Sequence, residues 1–176
     1  CPGTDSCKLG ITSSMGLNAA IQARVESLNI EDELTKRINI KMSGCPNSCG
    51  QHHIATIGFH GAAMKVDGQQ LPAYHVFLGG SYGDGGMRLA TQLKVRLPAK
   101  RGPEAVERFV NLYQRYRNEG ETFIAYFDRV GPKPFELAVE DLCLPGDFTD
   151  DNKGMFIDWG KLELYQLQRG EGECAV

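Results

Sequence analysis

Lys41-Met42-Ser43-Gly44-Cys45-Pro46-Asn47-Ser48-Cys49-Gly50 is the stretch on which the rest of the chain turns. It joins an alternating apolar–polar run, Arg37-Ile38-Asn39-Ile40-Lys41-Met42, to a turn-forming loop that carries two cysteines. Alternation at period two marks a half-buried strand, so the loop is expected at a strand end. A second pair opens the chain in Cys1-Pro2-Gly3-Thr4-Asp5-Ser6-Cys7. Four thiols delivered as two local pairs suit an iron–sulfur cluster, which is commonly held by four cysteine thiolates. Each pair sits in a short loop bent by Gly and Pro, so two ligands are fixed together at little entropic cost. Gly44 and Gly50 are expected to let the backbone come close to a bulky inorganic group. If a helix follows Pro46, Cys49 lies near its N-terminus, where the dipole favours a thiolate.

Working outward, Ser13 or Ser14 caps a helix over 15–28, with Leu17, Ile21, Val25 and Leu28 on one face. Asn29 closes it, and 31–36 reads as a short charged turn of helix. Residues 54–66 form a second strand region interrupted by Gly58 and Gly61, and Asp67-Gly68 marks a hairpin turn. Residues 73–79 and 91–97 are a third and a fourth strand. The clearest helix is 103–119: Pro103 suits its first turn, and Val106, Phe109, Val110, Tyr113 and Tyr116 make an apolar stripe. Shorter helices are expected over 121–130, ended by Gly131-Pro132, and over 135–142. The sum is an α+β domain, a mixed β-sheet flanked by helices, with the site at loop ends.

A chain of 176 residues is long enough to bury a real core. Its 41% hydrophobic and 23% charged content is that of an ordinary globular protein. A net charge of −3 gives no reason to expect nucleic acid as a partner. No apolar run approaches the length of a membrane span, and no signal peptide is visible. Six cysteines in an extracellular chain would suggest a disulfide framework, but four in metal-type spacing point to a reducing compartment.

The spacing C-x5-C, then 37 residues, then C-x3-C resembles that of the sirohaem-containing ferredoxin-type sulfite and nitrite reductases. So do the surroundings: Gly44-Cys-Pro-Asn-Ser-Cys49-Gly50, Ile57-Gly58-Phe59-His60-Gly61 and Val76-Phe77-Leu78-Gly79-Gly80. The resemblance covers roughly residues 1–130 and implies a 4Fe–4S cluster ligated by Cys1, Cys7, Cys45 and Cys49. It implies that Cys49 also gives its sulfur to the sirohaem iron, joining the two centres through one atom. The implied reaction is the six-electron reduction of sulfite to sulfide or nitrite to ammonia. Ferredoxin or a flavoprotein would supply the electrons singly, in the cytoplasm or a plastid stroma. Sirohaem carries many carboxylates, which need cationic and N–H donors. Lys8, Arg37 and Lys41 flank the cysteine loops and are the candidates, with Asn47 as a hydrogen-bond donor to the loop or the macrocycle.

A cluster ligand at residue 1 leads to the expectation that the chain is the C-terminal half of a longer enzyme. On that reading 1–130 is the cluster- and sirohaem-binding domain and 131–176 a C-terminal extension. Substrate-facing Arg and Lys residues then lie upstream, so the fragment by itself is expected to be inactive. A non-catalytic 4Fe–4S electron-transfer protein is the alternative. Zinc would accept the x3 spacing, but x5 falls outside its usual local ligand spacing.

The remaining features have plainer readings. Residues 79–86 are a glycine-rich loop without the Gly-Lys-Ser/Thr ending of a phosphate cradle. They are expected to be a flexible loop passing close to a cofactor or to the missing half of the protein; the resemblance implies that it lies near the sirohaem. His52 and His53 read as hydrogen-bonding side chains on a short helix, and His60 and His75 as packing within strands. Cys143 reads as a small buried hydrophobe, and Cys174 sits in a tail, 169–176, expected to be mobile. Residues 145–151 form an acidic surface turn, while Trp159, Leu162, Leu164 and Tyr165 are expected to dock on something.

Overall fold

Ser13 starts the first helix as its sequence suggests: its hydroxyl accepts the Gly16 N–H at 3.2 Å, and α1 runs Ser14–Ser27. In this computed structural model, which describes residues 1–83 and 86–168, Asn29 takes a positive φ of 47° and turns the chain away. Asp32 then caps α2, Glu33–Lys36, by accepting the Thr35 N–H. The strand β1 is Ile40–Ser43, three residues later than the alternation suggests, because Arg37 still closes α2.

β2 is Ile57–Val66 and β3 is Gln69–Leu78, joined at Asp67 and Gly68, both at positive φ as a two-residue hairpin turn requires. β4 is Thr91–Pro98. The sheet order is β1-β2-β3-β4, with β1 parallel to β2 and the other pairs antiparallel, so the sheet is mixed. A parallel pair needs a crossover of a dozen or more residues. Here residues 44–56 provide it, and that crossover is the second cysteine loop.

One face of the sheet is covered by helices. Leu17 and Ile21 from α1 meet Ile57, Phe59, Val76 and Leu78, all buried. α3, Gly102–Tyr116, adds Val106, Phe109, Val110 and Tyr113; Tyr116, at the end of the predicted stripe, is exposed. α4 is Phe123–Val130, capped by the Thr122 hydroxyl and ended by Gly131 at φ 72°. The expected helix over 135–142 is split into α5, Lys133–Ala138, and a 3-10 turn, Asp141–Cys143. Phe135 is fully buried, with the rings of Phe109, Phe123, Tyr126 and Phe127 centred 5.6–5.8 Å away. The core therefore continues through Leu142, past the 130/131 division that sequence character suggests.

Beyond it, Phe156 and Tyr165 are buried and the Trp159 indole N–H donates to Ala99 O at 2.8 Å. Leu162 does not dock: it is 95% exposed at the tip of the turn between Ile157 and Leu164. No described helix is long and apolar enough to cross a membrane. Cys174 and the rest of 169–176 lie outside the described residues.

Candidate metal centre

β1 delivers the chain to Gly44, and there the two cysteine loops are bonded together. Gly44 O accepts the N–H groups of Ile11 at 2.8 Å and Thr12 at 3.0 Å. A Cβ at Gly44 would lie 2.5 Å from Gly3 Cα and 2.7 Å from Thr12 O. One at Gly50 would lie 2.0 Å from Met42 O. Both glycines thus serve close approach of backbone to backbone.

The first loop is organised by one 3-10 turn, Gly3–Asp5, with Cys7 N–H donating to Gly3 O at 3.0 Å and Ser14 Oγ to Cys1 O at 2.7 Å. Cys1 reaches across to the second loop, where its Sγ accepts the Gly44 N–H at 3.3 Å, next to Cys45. A donor aimed at sulfur favours the thiolate form that a metal requires. Cys45 is buried, Cys7 half-buried, and Cys1 and Cys49 exposed; all four are free thiols.

No α-helix follows Pro46. Ser48 (φ 61°) and Gln51 (φ 58°) bracket Cys49 in the left-handed region, and only a three-residue 3-10 turn, His52–Ile54, comes after. The expected helix dipole behind Cys49 is therefore not there, and the strained pair of residues aims the Cys49 loop instead.

Among the described residues no three His, Cys, Asp or Glu side chains gather tightly enough to hold a single metal ion. A 4Fe–4S cube has its irons at separate corners and asks for thiolates spread around it. The donor set, four free thiols on two bonded loops, suits the thiolate ligation of such a cluster.

The family model described as the nitrite and sulphite reductase 4Fe-4S domain matches residues 1–143. The chain belongs to this family. Its similarity to the assimilatory ferredoxin-dependent nitrite reductase of Haloferax mediterranei is 29% identity, over 82% of this chain and 24% of that protein. To sulfite reductase [ferredoxin] 2 of Mycolicibacterium paratuberculosis it is 33%, over 70% of this chain and 23% of that protein. The solved structure of the Mycobacterium tuberculosis NirA protein superposes with a TM-score of 0.65 at 26% identity, covering 77% of this chain and 25% of that one. The chain thus spans about a quarter of the length of these nitrite and sulfite reductases.

Of the expected cofactor contacts, Lys8 and Asn47 stand exposed beside the cysteine loops of this reductase domain. Lys41 is tied down, with Nζ donating to Gln51 Oε1 at 2.8 Å and lying 4.2 Å from the centre of the Tyr82 ring. Arg37 is not brought to the site. It closes α2 and precedes β1, so the length of that strand separates it from Cys45. Gln51 and Tyr82 were not legible as site residues, since their place depends on the glycine-rich loop folding back over 54–55. There Gly80 N–H donates to Ala55 O at 3.0 Å.

The four histidines also form a feature that sequence reasoning missed. His53, His52, His60 and His75 stand in a row with successive ring centres 4.0, 5.1 and 4.9 Å apart. All lie on the β2–β3 face opposite the helices, His60 and His75 being register partners. The fully buried His52 shares its Nδ1 with Ser43 Oγ at 3.0 Å, and its Nε2 has no partner among the described residues.

Burial, helped by the charges of His53 and His60, pulls His52 from 6.5 down to about 3. Burial also lowers His60, against a hydrogen bond to Gly61 O, and lowers His75, helped by His60 and Arg96. The unfolded chain therefore takes up protons below pH 6.5 that the folded chain refuses, so stability falls as pH falls. His52 alone is expected to remove about 2 kcal/mol between pH 6.5 and pH 5, at ~1.4 kcal/mol per pH unit. Urea unfolding at the two pH values checks it. His52→Asn should flatten the profile by that amount, and an unchanged slope would show that His52 titrates normally.

Proposed function

We propose that this chain is the cluster-bearing part of a sulfite or nitrite reductase, with Cys1, Cys7, Cys45 and Cys49 holding one 4Fe–4S cluster and Cys49 shared with a sirohaem. The observation that supports it is the joining of the two cysteine loops through Gly44, whose N–H reaches Cys1 Sγ beside Cys45. When bound, the cluster and sirohaem would supply electrons one at a time to sulfite or nitrite, for a six-electron reduction.

The chain's own residues do the rest. Cys45, buried between the loops, anchors the cluster side, while the exposed Cys49 presents sulfur outward where a macrocycle can reach it. Lys8, Lys41 and Asn47 would meet the sirohaem carboxylates, and the hold of Gln51 and Tyr82 on Lys41 supports that role. The N-terminal half of the same enzyme would close the cofactor and supply the cationic groups that bind the oxyanion, and ferredoxin or a flavoprotein would deliver the electrons.

The test is the absorption spectrum of the full-length protein with iron and acid-labile sulfide counts. Red-region sirohaem bands with five irons and four sulfides per chain support the reading. Four irons and four sulfides without those bands would replace it with a non-catalytic electron-transfer protein, and zinc in place of iron would end both.

A further inference from the structure

The second cysteine loop is fixed at both ends by strands, but the first has only one 3-10 turn, and short 3-10 turns hold little geometry by themselves. Besides its bonds to Gly44 and Ser14, the first loop is held from the opposite end of the chain, beyond residue 143 where the family match stops. Residues 153–165 begin with a 3-10 turn, Lys153–Phe156, and fold back on themselves through the Ile157–Leu164 bridge.

At the centre of this strap Asp158 is 3% exposed and uses both carboxylate oxygens. Oδ2 accepts the Ser13 N–H at 2.7 Å and Oδ1 the Trp159 N–H at 2.8 Å. Ser13 caps α1, so the carboxylate stands at the positive end of a fourteen-residue helix. Burial pushes its carboxyl up, against those two hydrogen bonds and the charges of Lys100 and Lys161.

Two more contacts reach the same loop. Tyr165 OH donates to Ile11 O at 2.8 Å, and Ile11 is itself bonded through its N–H to Gly44 O. Lys161 Nζ pairs with Asp5 Oδ1 at 2.8 Å. Positions 5, 11 and 13 are therefore all held by the strap, and Cys7 lines the groove between strap and loop.

We propose that the strap is a clamp that sets the position of Cys1 and Cys7, with Asp158, Lys161 and Tyr165 as positioning residues for the first pair of cluster ligands. The inference rests on the reading that these cysteines hold a cluster. Groups just outside a metal's ligands typically change its affinity 10–100-fold when removed.

In the full-length protein, Asp158→Ala is expected to release cluster iron to a chelator about 10–100 times faster than the unsubstituted protein. Tyr165→Phe removes one hydrogen bond and should speed release about threefold to tenfold. Asp158→Asn still accepts one of the two N–H groups and should fall between the alanine variant and the unsubstituted protein. In the metal-free protein the same variants should speed alkylation of the half-buried Cys7 and leave the buried Cys45 unchanged, with the exposed Cys1 and Cys49 as internal references. A role confined to global stability would instead open Cys7 and Cys45 alike.

Equal speeding at Cys7 and Cys45, or unchanged iron release in both Asp158→Ala and Tyr165→Phe, overturns the clamp. Should Asp158→Ala fail to fold, Tyr165→Phe and Lys161→Met carry the same two readouts. The iron and sulfide content of the unsubstituted protein tests the underlying reading separately. A protein without a cluster but with selective alkylation would refute the ligand assignment and support the strap's hold on the loop.

Discussion

Cys49→Ser in the full-length protein is expected to remove both the cluster signal and the sirohaem bands, and to lower reductase activity by more than about 100-fold. That bound is the upper end of what losing a mere neighbour of a metal ligand costs, and a shared ligand has to exceed it. Serine is nearly isosteric with cysteine, and Cys49 is exposed, so the apo fold should keep its stability to within about 0.5 kcal/mol. Its hydroxyl is a hard, weakly acidic donor where iron–sulfur chemistry calls for a soft thiolate. Cys7→Ser is the contrast. On the proposed assignment it removes a ligand from the cluster alone, so any haem bands should survive in the folded protein. If Cys49→Ser kept a full iron count and an unchanged haem spectrum, Cys49 would not be the bridge.

How far the sequence carried depended on how local each signal was. Ser13 as a cap, the Asp67-Gly68 hairpin and the aromatic stripe of α3 each need only a few neighbouring residues, and all three are present. The start of β1 was misplaced because Arg37-Ile38-Asn39 alternates like a strand, while the N–H groups of Arg37 and Ile38 turn back to Thr35 O at the end of α2. The break between α5 and the 3-10 turn at Asp141 leaves no such mark. Val139 takes a non-helical φ of −125° while staying in the core, and helix periodicity cannot foresee that.

The site divides the same way. Cysteine spacing and its resemblance to a reductase family were readable; Cys143, expected to be buried, is half-buried against the core. Its Sγ donates to Val139 O and burial pushes its thiol up, as suits an inert packed side chain. The histidine row was not readable. His60 and His75 are fifteen residues apart and meet only through the β2–β3 register, and His52 joins them only because the crossover folds over β2. The strap was hidden for the same reason, since Asp158 and Ser13 are 145 residues apart.

Gly44→Ala carries the other large effect, because it leaves all four thiols in place and disturbs only how the loops meet. Its new methyl would sit 2.5 Å from Gly3 Cα and 2.7 Å from Thr12 O, and both are backbone atoms with no rotamer to move to. The loops must part there, at a cost of about 1–3 kcal/mol in folding stability. Parting them also lengthens the bonds from Ile11 and Thr12 to Gly44 O, and the Gly44 N–H bond to Cys1 Sγ goes with them. The expected result is iron content below half of the unsubstituted protein's, with four alkylatable cysteines still present. Gly68→Ala is the control. Its φ of 81° makes alanine strained by about 1–2 kcal/mol, yet nothing lies within 4 Å of the new methyl and the hairpin is remote from the cysteines. The control should lose stability comparably and keep its cluster. Were Gly44→Ala to load iron as fully as Gly68→Ala, the contact at Gly44 would be ordinary packing, and the joining of the two loops could no longer stand as support for the proposed four-cysteine site.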